Sequence, residues 1–235
     1  MYYVKEVARD VATAAGLTQV ITLAVSAAGN NTLLIAATAG ATGTTTTITG
    51  ITDSQGNTYE LAISRTSASM PFIIAKSTLA TALGPGDTIT LTYGNSVDEK
   101  LACVHEFGLV TNGAVDRTAV VGSAATTNPS SGATATTTQA DELLFSAVST
   151  DWASTVPSDI FTPTVVSPVW NELASVLTTG SRSKHRGLHP MYRFVTATGA
   201  YTGSGTLSAA KQWVAGIATY PQLTAVPRSQ AVIIG

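Results

Sequence analysis

Residues 88–93, Thr88-Ile89-Thr90-Leu91-Thr92-Tyr93, alternate polar and apolar side chains with a period of two. This alternation puts Ile89, Leu91 and Tyr93 on one face of a strand and the threonines on the other. Gly84-Pro85-Gly86-Asp87 precedes it as a turn, the glycines permitting positive φ and Pro85 fixing the bend. Similar extended patterns cover residues 19–25, 32–38 and 45–51, with a turn at Gly29-Asn30-Asn31, and together they predict a meander. A hairpin follows at 52–59, where Asp53 can accept from the backbone ahead of it and Gly56 can turn left-handed before a strand through Leu61 and Ile63. The runs 71–76, 101–107 and 142–149 predict further strands. The last two are largely apolar, as in strands buried on both faces or at an interface.

Residues 121–140 are small and polar, and Ala133-Thr134-Ala135-Thr136 predicts an edge strand after the Asn128–Gly132 turn. Helical signals are short and few, at 79–83 and 172–178. The stretch 151–190 holds Pro157, Pro163, Pro168 and Pro190 and predicts a long decorated loop. Strands resume at 192–198, 205–208 and 212–220. The apolar Val232, Ile233 and Ile234 near the end would be an aggregation hazard if bare, so they are expected to dock as an added strand, in this chain or on a neighbour. The expected organisation is an N-terminal arm (1–17), one β-sandwich domain (18–222) and a C-terminal arm (223–235).

Composition changes this picture in three ways. The 235 residues fit one large all-β domain, and no apolar run reaches the ~18 residues of a membrane-spanning helix. The first ten residues lack a basic region followed by an apolar one, which predicts synthesis in a cytosol unless a signal was removed beforehand. With 12 Lys plus Arg against 14 Asp plus Glu, there is no basic excess of the kind that phosphate binding needs, so nucleic acid is not an expected partner.

Candidate chemistry is sparse. Cys103, the single cysteine, excludes an intramolecular disulfide and a cysteine zinc site. Cys103 and His105 share a strand face opposite Glu106, yet no third orienting group stands at this spacing, and His105 is expected to be structural. His185 and His189 would share a face if the segment were helical, which Gly187 and Pro190 disfavour. Lys184 and Arg186 would repel a metal cation there and fit a basic loop touching an acidic neighbour better. Trp152, Trp170 and Tyr192 either fill the core or form an aromatic platform for a sugar ring. Asp141 and Glu142 point opposite ways on a strand, a poor pair for glycoside hydrolysis. No phosphate loop, dinucleotide fingerprint or nucleophile elbow is present, so neither an enzyme nor a cofactor is expected.

Three segments carry a resemblance: Ile48 to Tyr59 with its Asp53-Ser54-Gln55-Gly56-Asn57-Thr58 hairpin, Pro129-Ser130-Ser131-Gly132 leading to Glu142-Leu143-Leu144, and Trp213-Val214-Ala215 in the closing strand. In this order they resemble a β-sandwich family of bacteriophage virion proteins and bacterial surface proteins. The resemblance implies an all-β, antiparallel, jelly-roll-like sandwich, here with a long loop insertion and extended terminal arms, used as a structural or adhesive module. The leading expectation is a virion head decoration or cement protein. A tail or appendage component comes second, and a carbohydrate-binding adhesion module third. Expected partners are further copies of the chain, in a symmetric homo-oligomer such as a trimer, and virion proteins such as the major capsid protein. Lys184, Arg186 and Val232–Ile234 would serve as assembly contacts, and a cell-surface glycan is the partner under the third reading.

Overall fold

The structure, a computed structural model, describes residues 1–40, 46–67, 70–108, 110, 114–152, 160–178 and 185–223, with the side chains of residues 123, 124 and 152 outside that description. No helix occurs among the described residues, and all strand pairings are antiparallel. The first half of the chain builds sheet one: β1 (Tyr2–Ala12), β2 (Gly16–Thr22), β3 (Thr32–Gly40), β4 (Ile48–Asp53), β5 (Glu60–Ser67), β6 (Met70–Thr78) and β7 (Thr88–Gly108). The order is β1-β7-β3-β6-β5, while β2 and β4 flank the beginning of β7. Residues 88–93 and 101–107, expected as separate strands, are thus two parts of one 21-residue strand. Its early part pairs with β2 and β4, and its later part with β1 and β3. The change of partners falls around Glu99, held at φ 49°, a left-handed conformation uncommon for a residue with a Cβ.

The second half builds sheet two in the order β12-β14-β10-β16-β8, from β12 (Asn171–Glu172), β14 (His185–Thr196), β10 (Asp141–Trp152), β16 (Lys211–Pro221) and β8 (Arg117–Thr126). The short β13 (Val176–Leu177) also pairs with β14. A three-stranded sheet of β11 (Phe161–Pro163), β15 (Thr202–Leu207) and β9 (Ser130–Ala133) completes the described strands.

Period-two alternation explains the layering. In β3, Leu33, Ile35 and Ala37 join a core closed by the flap of β2, β4 and early β7. Leu34 and Ala36 face the other way, toward sheet two, with Phe72, Ile74, Leu101 and Phe107. Sheet two answers with Leu143, Phe145, Leu188 and Val214, and its opposite face buries Leu144, Met191 and Ile217. Both main sheets are therefore covered on two faces, which is why β3 and β6 read as apolar runs. Burying each of Phe72, Phe107 and Phe145 contributes roughly 1.5–3 kcal/mol. The sheets approach so closely that a Cβ added to Gly216 would lie 2.7 Å from the Phe72 ring.

Three expectations change. Residues 1–17 are no arm: Tyr2–Ala12 is β1, paired along β7, with Val7 and Ala8 in the core. The helical signals at 79–83 and 172–178 give way to pairing, since Leu79 N–H donates to the Asn31 carbonyl, Leu83 N–H to Ala27 and Leu173 N–H to Pro190. The 151–190 stretch is more ordered than a loop: β11, β12 and β13 lie within it, and β14 begins at His185, ahead of Pro190.

Candidate functional site

Polar chemistry concentrates at one end of the sandwich, next to Gly40. Arg186 in β14 is 2% exposed, with Nε 3.6 Å from Glu99 Oε2 and Nη2 3.4 Å from Asp151 Oδ2. Asp151 is its cross-strand partner in β10, whereas Glu99 belongs to sheet one. A Cβ at Gly40 would sit 2.7 Å from Asp98 Oδ1 and 2.8 Å from Arg186 Nε, so a glycine makes room for the guanidinium. Ser149 and Thr38 bridge the two sheets nearby through a 2.7 Å hydroxyl–hydroxyl hydrogen bond. Arg186, expected as an exposed assembly contact, is therefore consumed inside the protein, because β14 extends further than read and turns this side chain inward. Its acidic neighbours belong to the same chain. Lys184 and Val232, Ile233 and Ile234 lie outside the described residues.

Cys103 and His105 share the inter-sheet face, and Glu106 points away to accept from Ala28 N–H at 2.9 Å and Asn31 Nδ2 at 2.7 Å. Burial pushes the Cys103 thiol up to about 12 and depresses His105 to about 3, so this thiol stays protonated and the imidazole neutral. His105 sits against Tyr3, whose hydroxyl is 3.4 Å from Nδ1. His185 and His189 are both buried, His185 against Thr178 Oγ1 and His189 against Ser175 Oγ and the Phe161 ring. Among the described residues no group of three His, Cys, Asp or Glu is placed to hold a metal.

The aromatic candidates are separated. Tyr192 stacks on Tyr3 at 5.1 Å at the margin of the inter-sheet core. Trp170 packs with Met191 and Val195 on the opposite face of β14, beneath the Arg193 guanidinium. Neighbouring positions on a strand face opposite ways, so Trp170 and Tyr192 form no common platform. The Trp152 side chain lies outside the described residues.

Another buried acid stands apart. Glu142 is fully buried, and this burial, reinforced by the like charge of Asp116, raises its carboxyl to about 7. Sequence reading placed Asp141 and Glu142 on opposite faces, which their exposure supports, but gave no sign of Asp116 across the fold.

The outward surface has a different character. Ile21, Ile89, Leu91 and Ile51 turn the inner face of the flap into the core. Its outer face is then set by register: Thr18 opposite Thr92, Thr90 between Val20 and Thr52, and Thr22 opposite Thr88. Ser54 extends the last row, its N–H donating to the Thr88 carbonyl at 3.0 Å. None of these side chains is charged, and Val20 is 51% exposed. Val11, Leu17 and Val25, before and around β2, are exposed as well. Among the described residues β2 and β4 pair only with β7, so both margins of this face are open strand edges. The alternation at 88–93 already signalled the threonine row, but the partners that widen it into a surface come from long-range pairing.

These features define an all-β protein, an antiparallel sandwich whose reactive side chains are turned inward. Comparison with protein-family models, curated proteins and solved structures finds no match to this chain.

Proposed function

We propose that this chain is a structural subunit of a bacteriophage particle, a head decoration or cement protein that works by burying surface against its neighbours. The observation that carries the assembly role is the uncharged outer face of β2, β7 and β4, with Thr90 on the central strand between Val20 and Thr52 and an open strand edge on each side. Short hydroxylated side chains lose little rotamer entropy when immobilised, and no charge has to be desolvated, so such a face favours packing. A standard contact of about 800 Å² per partner would hold one copy, and repetition over a lattice multiplies weak contacts. Closed homo-oligomers, such as a trimer, follow from the same self-complementary logic.

The phage setting is supported by the hairpin at Asp53–Thr58, the Pro129–Gly132 turn and the closing Trp213-Val214-Ala215 strand. A tail or appendage component would use the same chemistry.

Quantitative peptide mass spectrometry on purified particles is the test. Hundreds of copies per particle support decoration, a handful supports a tail tip or fibre, and absence rejects the particle role. The face itself is tested by Val20→Lys with Thr90→Lys. Incorporation should be lost while the unfolding midpoint stays near wild type; wild-type incorporation would reject this face as the contact.

A further inference from the structure

A cleft of about 460 Å³ opens where β5 begins, between β6, the 27–31 turn and the 79–80 segment. This is within the size range of small-ligand sites. Its wall is fixed by hydrogen bonds. Asn30 N–H donates to the Leu79 carbonyl at 2.8 Å, and Leu79 N–H returns to Asn31 at 3.0 Å. Asn57 holds the neighbouring Thr81 backbone from both sides, donating from Nδ2 at 3.1 Å and accepting at Oδ1 at 2.9 Å. Asp53 in turn fixes Asn57 and the Tyr59 hydroxyl. Asn30 itself is left-handed, with φ 66°.

The lining chemistry is selective. Lys76, almost fully buried, lies 3.6 Å from Glu60, so the cleft presents a strong donor beside a strong acceptor with their charges cancelled. Asn30, Thr58 and Thr78 add amide and hydroxyl groups, each able to donate and accept.

We propose that this cleft binds a neutral polyhydroxylated ligand, a saccharide unit, with adjacent hydroxyls bridging Lys76 and Glu60. The cancelled charge of the Lys76–Glu60 pair selects against anionic ligands. None of the lining residues belongs to the outer face of β2, β7 and β4, so this site stands or falls independently of the assembly reading. It also lies away from Trp170 and Tyr192, where sequence reading placed a sugar.

The test is NMR on the intact protein with methyl glucoside, methyl galactoside, N-acetylglucosamine and lactose as probes and glucuronate as the anionic control. At millimolar concentrations, where a single small cleft is expected to bind, at least one neutral sugar should show saturation transfer. Amide shifts in the protein should centre on residues 58–60 and 76–80. Glu60→Gln, at a half-exposed position, should weaken binding at least about tenfold while the unfolding midpoint stays near wild type. Absence of binding by all four neutral sugars, tighter binding of glucuronate, shifts centred elsewhere, or unchanged affinity in Glu60→Gln would each overturn the proposal. Mapping on the wild-type protein keeps the test decisive if Glu60→Gln fails to fold.

Discussion

Arg186 Nε stands 3.6 Å from Glu99 Oε2, and this contact helps tie sheet two to sheet one beside Gly40. Glu99 meets it from a left-handed backbone, where a glycine would be more comfortable. The strain at Glu99 and the buried cation answer one another, since the bend in β7 delivers the carboxylate that Arg186 needs.

Removing the cation alone should therefore be severe. Arg186→Met leaves the Glu99 and Asp151 carboxylates facing each other in a buried site and should cost roughly 3–5 kcal/mol. Urea denaturation measures it. Neutralising all three, as Arg186→Met with Glu99→Gln and Asp151→Asn, should recover part of that loss; a triple variant less stable than the single one would show that the charges are not the origin.

Glu142 predicts a pH dependence of definite sign. Its carboxyl is raised to about 7 in the folded protein, above the ordinary carboxylate value it regains on unfolding. The folded state holds the extra proton between these values, so the contribution is favourable at the acid side and is lost as pH rises through about 7. Glu142→Gln should be the more stable protein at pH 8, by on the order of 1–3 kcal/mol relative to wild type, with the difference shrinking toward pH 5. Denaturation curves at the two pH values decide it; a difference that grows toward acid would contradict the assignment.

Close approach of the two sheets sets a third expectation. The Cβ introduced by Gly216→Ala would meet Phe72 at 2.7 Å and Ile63 at 3.0 Å. Overpacking of this kind costs about 1–3 kcal/mol. A compensating Phe72→Leu in the same chain should restore some of it, which thermal unfolding of the single and double variants would reveal.

Cys103 should be chemically silent. It is fully buried, its thiol is pushed up to about 12, and it points toward the Ala36 carbonyl. Iodoacetamide at neutral pH should leave native protein unlabelled and label it fully in denaturant; rapid native labelling would mean that the inter-sheet core opens.

The flap and central strands were legible because period-two alternation survives wherever one face is wet: residues 88–93 show it plainly. Asp53 and Gly56 were legible for a local reason, since the aspartate accepts from the Gln55 and Asn57 backbones and the glycine takes φ 76°. Arg186 was misread because buried and exposed arginines look alike in sequence, and the partners that draw this one inward, Glu99 and Asp151, are fixed only by long-range pairing. Asp98-Glu99-Lys100 likewise resembles a solvated charge run, yet Lys100 donates to the Ala14 carbonyl at 2.6 Å from a buried position. The helical signals failed because neighbouring strands offered those backbones partners that a short isolated helix could not match.

The chain finishes sheet one by Gly108 before the first strand of sheet two begins at Arg117. During synthesis, then, the first half can close its flap core while Leu34, Phe72, Ile74, Leu101 and Phe107 still face water. That nascent surface is sticky until β10, β14 and β16 emerge to cover it, and it supplies a ready template on which they can align. Translation order and architecture thus coincide: the earlier half serves as the mould for the later one, and the interval between them is when the protein is most exposed to misassembly.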